Sequence, residues 1–130
     1  MDWIELIDNQ GNAVIPKRLK RVAKYAFKDC EELRSIVIPS GVTTIAESAF
    51  EGCRNLKSVS FPSTLTKIDE CAFSRCESLE RIELPGSLKN TGVCAFSDCT
   101  SLREVVLTVG IEVISMHAFN GCTSLENVVF

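Results

Sequence analysis

The sequence repeats with a fixed period of 23 residues, and this repeat restricts the fold more than any other feature. An Ala-Phe pair recurs in that step at residues 26–27, 49–50, 72–73, 95–96 and 118–119. A cysteine follows each pair, at Cys30, Cys53, Cys76, Cys99 and Cys122. Leucine, β-branched and proline columns share the spacing, so the unit reads A-F-x-x-C-x-x-L-x-x-[IV]-x-[ILF]-P. Such a repeat without insertions predicts a solenoid in which equivalent residues stack on one another.

Each copy of the repeat contains the pattern of one strand and one turn. In residues 56–61 the apolar Val59 and Phe61 alternate with serines, as in a half-buried β-strand, and a proline then ends the strand. Residues 47–52 end at Gly52 and are typical of a short helical turn. Stacked copies therefore predict a parallel sheet on a concave face, helical turns on a convex face, and a phenylalanine column in the core.

The amino-acid sequences of the copies resemble those of a known repeat family. Ala-Phe-Glu-Gly-Cys-Arg-Asn-Leu at 49–56 and Ala-Phe-Asn-Gly-Cys-Thr-Ser-Leu at 118–125 are similar to the BspA-type leucine-rich repeat. The resemblance covers about residues 17–130 and implies an α/β fold, a leucine-rich-repeat solenoid in a short horseshoe arc. Members of that family are often bacterial or protist surface proteins, some of them adhesins. Because the motif residues are structural, the resemblance assigns no functional residue to this chain.

The repeat also predicts the domain organisation. Residues 1–130 form a single leucine-rich-repeat domain in this interpretation. Residues 1–16 fit the repeat only in part, since Ile4 and Ile7 take the Phe and Cys positions and Gln10 takes the Leu position. Terminal copies of solenoids are commonly atypical. We therefore interpret residues 1–16 as a degenerate N-terminal cap, with Trp3 over the end of the core, followed by five repeats from about residue 17 to residue 130.

The predicted binding surface is the outward side of the concave strands, because curved solenoids bind their partners there. The candidate residues flank the buried β-branched column or precede it by two positions: Arg34, Ser35, Val37, Lys57, Ser58, Ser60, Glu80, Arg81, Glu83, Arg103, Glu104 and Val106. This surface has mixed charge and no aromatic anchor, although aromatic residues and arginine usually dominate interface energy. A solvated sheet face without a ligand is the alternative interpretation.

The cysteines invite disulfide and metal hypotheses. Seven is an odd number, and no two cysteines have the C-x-x-C spacing of a metal or redox motif. Five lie in the core column, where a free thiol behaves as a small apolar group. Cys71 and Cys94 instead share a column with Tyr25, Ser48 and His117, which predicts partial exposure and leaves a bridge between the two as an alternative.

No other motif indicates catalysis, a cofactor or a metal. His117 is the only histidine, and its nearest candidate partner is Cys94, one copy earlier in the same column. The basic residues of 16–21, continued by Lys24 and Lys28, could mark nucleic-acid binding. Their apolar neighbours fit core columns and no aromatic stacking platform accompanies them, which favours a solvated edge. We predict no enzyme activity, no cofactor, no metal ion and no nucleic-acid partner.

The predicted function is a non-catalytic protein-interaction module, adhesin-like or surface-associated, with an unidentified protein partner. The alternative is a structural spacer segment of a longer repeat array without a ligand of its own. No apolar run is long enough to insert into a membrane, and the start of the chain lacks the pattern of a secretory signal. Unpaired cysteines favour a reducing environment, while the family resemblance allows the cell surface. The strand that ends at Phe130 predicts an open edge, which favours self-association or a longer array.

Overall fold

The backbone forms a parallel β-solenoid whose copies stack in the predicted 23-residue register. The computed structural model describes residues 1–115 and 117–130. Within them the chain forms a single 3₁₀ turn at Trp3–Leu6 and short strands. The strands are β1 (Asn12–Val14), β2 (Arg21–Val22), β3 (Ser35–Val37), β4 (Thr44–Ile45), β5 (Ser58–Ser60), β6 (Lys67–Ile68), β7 (Arg81–Leu84), β8 (Asn90–Thr91), β9 (Glu104–Leu107) and β10 (Asn127–Val129).

Two columns of strands run along the solenoid. One column contains the predicted strands and is hydrogen-bonded in two blocks, β1-β3-β5 and β7-β9-β10. The other is a continuous sheet of two-residue strands in the order β2-β4-β6-β8. Every pair is parallel, and partners are 23 residues apart, as in Ile36 with Val59 and Ile45 with Ile68. The sequence analysis predicted the first column and missed the second sheet.

The predicted helical turns are wrong. Apart from the turn at Trp3–Leu6, the segments between strands in residues 1–115 and 117–130 are irregular turns. The reason is that their amides bond to the next copy rather than along a helix, as when Phe50 N–H donates to Ala72 O at 2.7 Å. Backbone groups satisfied between copies leave no run of bonds from residue i to i−4. The fold is therefore a β-solenoid rather than an α/β structure.

Residues with a left-handed backbone conformation recur at two fixed positions in each copy. One column has positive φ in every copy: Tyr25 (62°), Ser48 (55°), Cys71 (55°), Cys94 (59°) and His117 (64°). The other is Asp29, Gly52, Arg75, Asp98 and Gly121, with φ of 56–77°. A non-glycine residue in this region costs roughly 1–2 kcal/mol. Bonds to the next copy offset the cost, since the amides of Ser48 and Asp29 donate to Glu70 O at 3.0 Å and Glu51 O at 2.7 Å.

The core is built around a stack of phenylalanine rings. Neighbouring rings from Phe27 to Phe119 lie 4.9–5.4 Å apart between centroids and within 7° of parallel. The first four rings are fully buried. The rings of Trp3 and Phe27 pack edge to face at this end of the stack, with centroids 5.9 Å apart. Each buried ring contributes about 1.5–3 kcal/mol relative to exposure, so the stack is a major source of stability.

The core cysteines form a ladder of hydrogen bonds between copies. From Cys53 onward, each thiol of this column donates to the carbonyl oxygen of the phenylalanine in the preceding copy, as Cys53 Sγ does to Phe27 O at 3.1 Å and Cys76 Sγ to Phe50 O at 3.3 Å. Cys99 and Cys122 repeat the contact at 3.2 and 3.1 Å. All the cysteines are free thiols. This column thus combines the size of a small apolar side chain with a weak donor that an alanine would lack.

Removal of one ring from the middle of the stack should be far more damaging than removal of a ring at its edge. Phe73 lies between Phe50 and Phe96 and also contacts Phe61, whereas Phe119 is partly exposed and stacks on Phe96. We expect Phe73→Ala to lower the free energy of unfolding by about 3–5 kcal/mol and Phe119→Ala by less than half of that. Urea denaturation of both variants measures the difference, and equal losses would contradict the packing described above.

The buried thiols should make the protein less stable at alkaline pH. Burial raises the pKa of Cys53 from its usual value near 9.0 to about 12. Because the thiol ionises more easily in the unfolded chain, its contribution is present below about pH 9 and is lost as the pH rises toward 12. We expect the free energy of unfolding to fall more steeply above about pH 9 in the wild type than in Cys53→Ser, by up to about 1.4 kcal/mol per pH unit. Urea denaturation at several pH values from about 8 to 10 measures this free energy, and equal slopes against pH in the two proteins would refute the prediction.

Candidate functional site

The first strand column is interrupted between β5 and β7. Among the described residues no ladder joins these two strands, although the second sheet continues unbroken across the same pair of copies. Elsewhere the amide of Ile38 donates to Ser60 O at 3.0 Å and that of Arg103 to Glu80 O at 2.8 Å. The equivalent donors here are Phe61 and Glu80, and neither makes a backbone bond within residues 1–115 and 117–130. Two open backbone edges therefore face one another.

A cleft of about 660 Å³ lies at this interruption. Residues of three successive copies line it: Lys57, Ser58, Val59, Ser60, Phe61, Ser63, Glu80, Arg81, Glu83, Pro85, Gly86 and Thr108. Its size is in the range of 300–1,000 Å³ found for ligand sites in proteins. The cleft thus marks a departure of the surface from the regular stack.

Two apolar side chains of the core columns reach the floor of the cleft. Val59 is half-buried, whereas its neighbours Ile36 and Ile82 in the same column are each only 1% exposed. Phe61 is also half-buried and sets its ring against the edge of Phe73, with centroids 5.6 Å apart and an interplanar angle of 83°. The interruption of the ladder therefore presents apolar surface that the other copies enclose.

Charged side chains form the rim of the cleft. Arg81 Nε bonds to Glu104 Oε1 at 3.1 Å, and its Nη1 lies 3.7 Å from Glu83 Oε2. Lys57 and Glu80 occupy equivalent positions of adjacent copies and are both exposed, yet in the described part of the chain neither has an ion-pair partner within 4.0 Å. The rim thus offers one free cation and one free anion beside an internally paired arginine.

One wall of the cleft depends on a glycine. A Cβ atom at Gly86 would collide with the carbonyl oxygen of Val109 in the next copy. The loop after β7 therefore packs backbone to backbone on the loop after β9, which is possible only without a side chain at residue 86. This close contact fixes the position of Pro85 and Gly86 at the end of the cleft.

The structure divides the twelve predicted surface residues into a central group and two flanking groups. Six of them line the cleft: Lys57, Ser58, Ser60, Glu80, Arg81 and Glu83. Arg34, Ser35 and Val37 lie on the preceding copy, while Arg103, Glu104 and Val106 lie on the following one. We call the solvent-facing side of this strand column the strand face. Sequence reasoning missed Val59 and Phe61, because both match core columns and only the open ladder distinguishes them.

Exposed valines flank the polar centre of the strand face. Val14 and Val37 are adjacent partners of β1 and β3, with 58% and 43% of their surface exposed. Val106 and Val129 are partners of β9 and β10, and Val129 is 44% exposed. The strand face therefore has an apolar pair on each side of the serines and charges at the cleft.

The basic segment lies outside the cleft. Lys24 pairs with Glu47 at 3.0 Å and Lys28 with Glu51 at 3.7 Å, and both ammonium groups lie about 5 Å from the centre of the Tyr25 ring. Two of these cations are thus compensated by acids of the next copy. This arrangement resembles a solvated edge more than a nucleic-acid platform, which would need free aromatic faces.

The half-buried thiol of Cys71 does not have the environment of an activated nucleophile. Burial, Glu51 and Cys94 together raise the pKa of Cys71, with smaller effects of Glu70 and Glu47 in the same direction. Reactive thiols instead have a lowered pKa beside a cation or a helix N-terminus. The residues that the structure describes contain no cluster of three or more metal-ligating side chains suited to a metal ion. None of the described helices has the length and apolar character to cross a bilayer.

Comparison with known proteins identifies the repeat. Residues 9–130 match the repeat family described as "BspA type Leucine rich repeat region", in six copies. The chain belongs to this family. The match confirms the resemblance seen in the sequence and includes residues 9–16, where β1 pairs in register with β3. The division into a cap of residues 1–16 and five repeats stays a prediction.

Several solved structures are similar to this chain. The T. pallidum leucine-rich repeat protein TpLRR is 36% identical, with a TM-score of 0.86 over 91% of this chain. A leucine-rich cell surface protein from Faecalibacterium prausnitzii is 30% identical, with a TM-score of 0.88 over 92%. The pneumococcal vaccine antigen PcpA is 25% identical, with a TM-score of 0.87 over 92%. Curated proteins gave no match. The chain spans only 57%, 31% and 30% of these three structures, respectively.

Hydrogen exchange should reveal the interrupted ladder directly. Within residues 1–115 and 117–130, the amides of Phe61 and Glu80 have no backbone acceptor, whereas those of Ile38 and Arg103 do at the equivalent positions. We expect Ile38 and Arg103 to exchange at least about tenfold more slowly, which corresponds to an opening free energy of about 1.4 kcal/mol. Residue-resolved exchange measured by NMR tests this. Equal protection of Phe61 and Ile38 would mean that the ladder is closed in solution.

Proposed function

We propose that this chain is a protein-interaction module that binds its partner over the strand face, with the cleft between β5 and β7 at the centre of the contact. The observation that carries the proposal is the open ladder. Unpaired backbone groups beside apolar surface are costly to bury unless a partner hydrogen-bonds to them. In the free protein water can fill this role, and a partner segment can replace it.

The composition of the cleft also supports binding to a protein. Interfaces combine an apolar centre with a polar rim, and aromatic residues are enriched in them. Val59 and Phe61 supply such a centre, and Lys57, Glu80 and Arg81 supply the rim. Free charges of both signs favour a partner segment with complementary acidic and basic groups, which would increase specificity and association rate more than affinity.

The similar structures favour surface-associated binding. One of them is described as a cell surface protein and another as a vaccine antigen. Both are larger than this chain, so their roles apply to it only as part of this proposal. The family repeat builds the core and leaves the strand face free to vary, which suits a binding scaffold more than an enzyme.

Selection from a displayed library of random peptides tests the binding role. We expect peptides to be enriched on the wild-type chain and to bind at least about tenfold more weakly, a loss of about 1.4 kcal/mol, when Arg81→Glu and Glu83→Lys are combined. This double variant keeps the net charge and reverses the rim of the cleft. Calorimetric titration of one enriched peptide measures the effect.

A matched control exchanges charges away from the cleft. Lys89 Nζ lies 3.5 Å from Glu112 Oε1, and both side chains are as exposed as the rim residues. The combined Lys89→Glu and Glu112→Lys variant should bind the peptide like the wild type. Equal losses in both variants would exclude the cleft as the binding site. Failure to enrich any peptide would favour the spacer interpretation instead.

A further inference from the structure

The seven cysteines occupy two different environments. Cys53, Cys76 and Cys99 are fully buried and donate to backbone carbonyls of the preceding copy. Cys71 and Cys94 lie outside this ladder, are half-buried, and have left-handed φ angles of 55° and 59°. They are therefore a separate pair of thiols within reach of small molecules in solution.

The register of the solenoid places these two thiols side by side. Cys71 and Cys94 are equivalent residues of adjacent copies, and the Cys71 amide donates to Val93 O at 3.1 Å. Adjacent parallel chains lie about 4.8 Å apart, inside the range of about 4.4–6.8 Å between Cα atoms that a disulfide requires. The two residues also share the same left-handed backbone conformation, with φ angles within 4° of one another.

The same two copies face one another at the interrupted ladder. Val59 and Ile82, on the two sides of the gap between β5 and β7, are separated by the same step as Cys71 and Cys94. Ser48 and His117 occupy this column in the copies on either side. The only adjacent cysteines of the column thus span the interface at which the first strand column is open.

We propose that Cys71 and Cys94 form a reversible disulfide that links the two copies on either side of the cleft. The oxidant is a small disulfide of the oxidised glutathione class. One protein thiolate attacks the oxidant and releases one small thiol, leaving a mixed disulfide. The second protein thiolate then attacks the protein-bound sulfur and releases the second small thiol. The protein pair loses two protons and two electrons, and the oxidant gains them as two thiols.

The link would act on the gap from the other side of the solenoid. In the reduced protein this interface is held by β6 with β8 and by stacking of Phe50 on Phe73. A covalent bond between Cys71 and Cys94 adds a connection that does not depend on packing. It limits how far the two copies can separate at the cleft, and the melting temperature of the oxidised protein should rise. This inference does not rest on the proposed binding function.

Peptide mapping after oxidation tests the link. The native chain is incubated with oxidised glutathione, alkylated, and digested with trypsin without reduction. Before alkylation, the mass of the intact oxidised protein should be lower by two hydrogen atoms. After digestion, the peptide of residues 68–75, which contains Cys71, should be joined to the peptide of residues 90–103. Because the second peptide contains both Cys94 and Cys99, fragmentation in the mass spectrometer identifies the sulfur involved.

Serine variants control for the position of the link. Cys71→Ser and Cys94→Ser should fold normally, since Ser48 already occupies this column, and each should abolish the cross-link. Cys122→Ser removes a half-buried thiol of the core ladder and should leave the cross-link intact. Stable mixed disulfides without a cross-link, a bridge through Cys99, or no reaction with glutathione would each overturn the proposal.

Discussion

Hydrogen bonding between copies at a constant offset of 23 residues is the constraint on which the rest of this structure depends. It aligns equivalent residues, so one favourable side chain becomes a column: stacked phenylalanines, thiols that donate to the preceding copy, and two series of left-handed residues. It also explains the near absence of helix among the described residues, because amides used between copies are not available within a turn. The sheets are a consequence of the stacking rather than its cause.

A regular stack repeats the same contacts between copies, and in the first strand column the interface between β5 and β7 is an exception to the ladder that joins the other strands. The second sheet and the phenylalanine stack continue through it, so its opening is confined to one side of the solenoid. There Val59 and Phe61 become partly accessible, while Lys57 and Glu80 at the rim have no ion-pair partner among the residues that the structure describes. A repeat protein needs such a departure from its own symmetry to make one region of its surface different from the others.

Periodicity predicted the features that depend on stacking. The phenylalanine, cysteine and leucine columns are buried except in the last copy, and the 23-residue register appears in every strand pair. The second sheet was missed because strands of two residues, such as Thr44–Ile45, are too short to show alternation. Ser48 and Cys71 gave no sign of positive φ, since neither residue type favours that region, and the turn was therefore mistaken for a helix. Half of the predicted surface residues line the cleft, but a repeat pattern cannot reveal where its ladder is open.

The thiol ladder gives the array a direction. From Cys53 onward, each core cysteine donates to the preceding phenylalanine carbonyl, whereas Cys30, for which Ile4 takes the phenylalanine position, donates to Glu32 Oε2 at 3.5 Å. A copy therefore depends on its predecessor for an acceptor and offers one to its successor. A partial copy cannot satisfy both neighbours, so the whole 23-residue unit is the smallest segment that recombination could insert, delete or transplant without breaking the column.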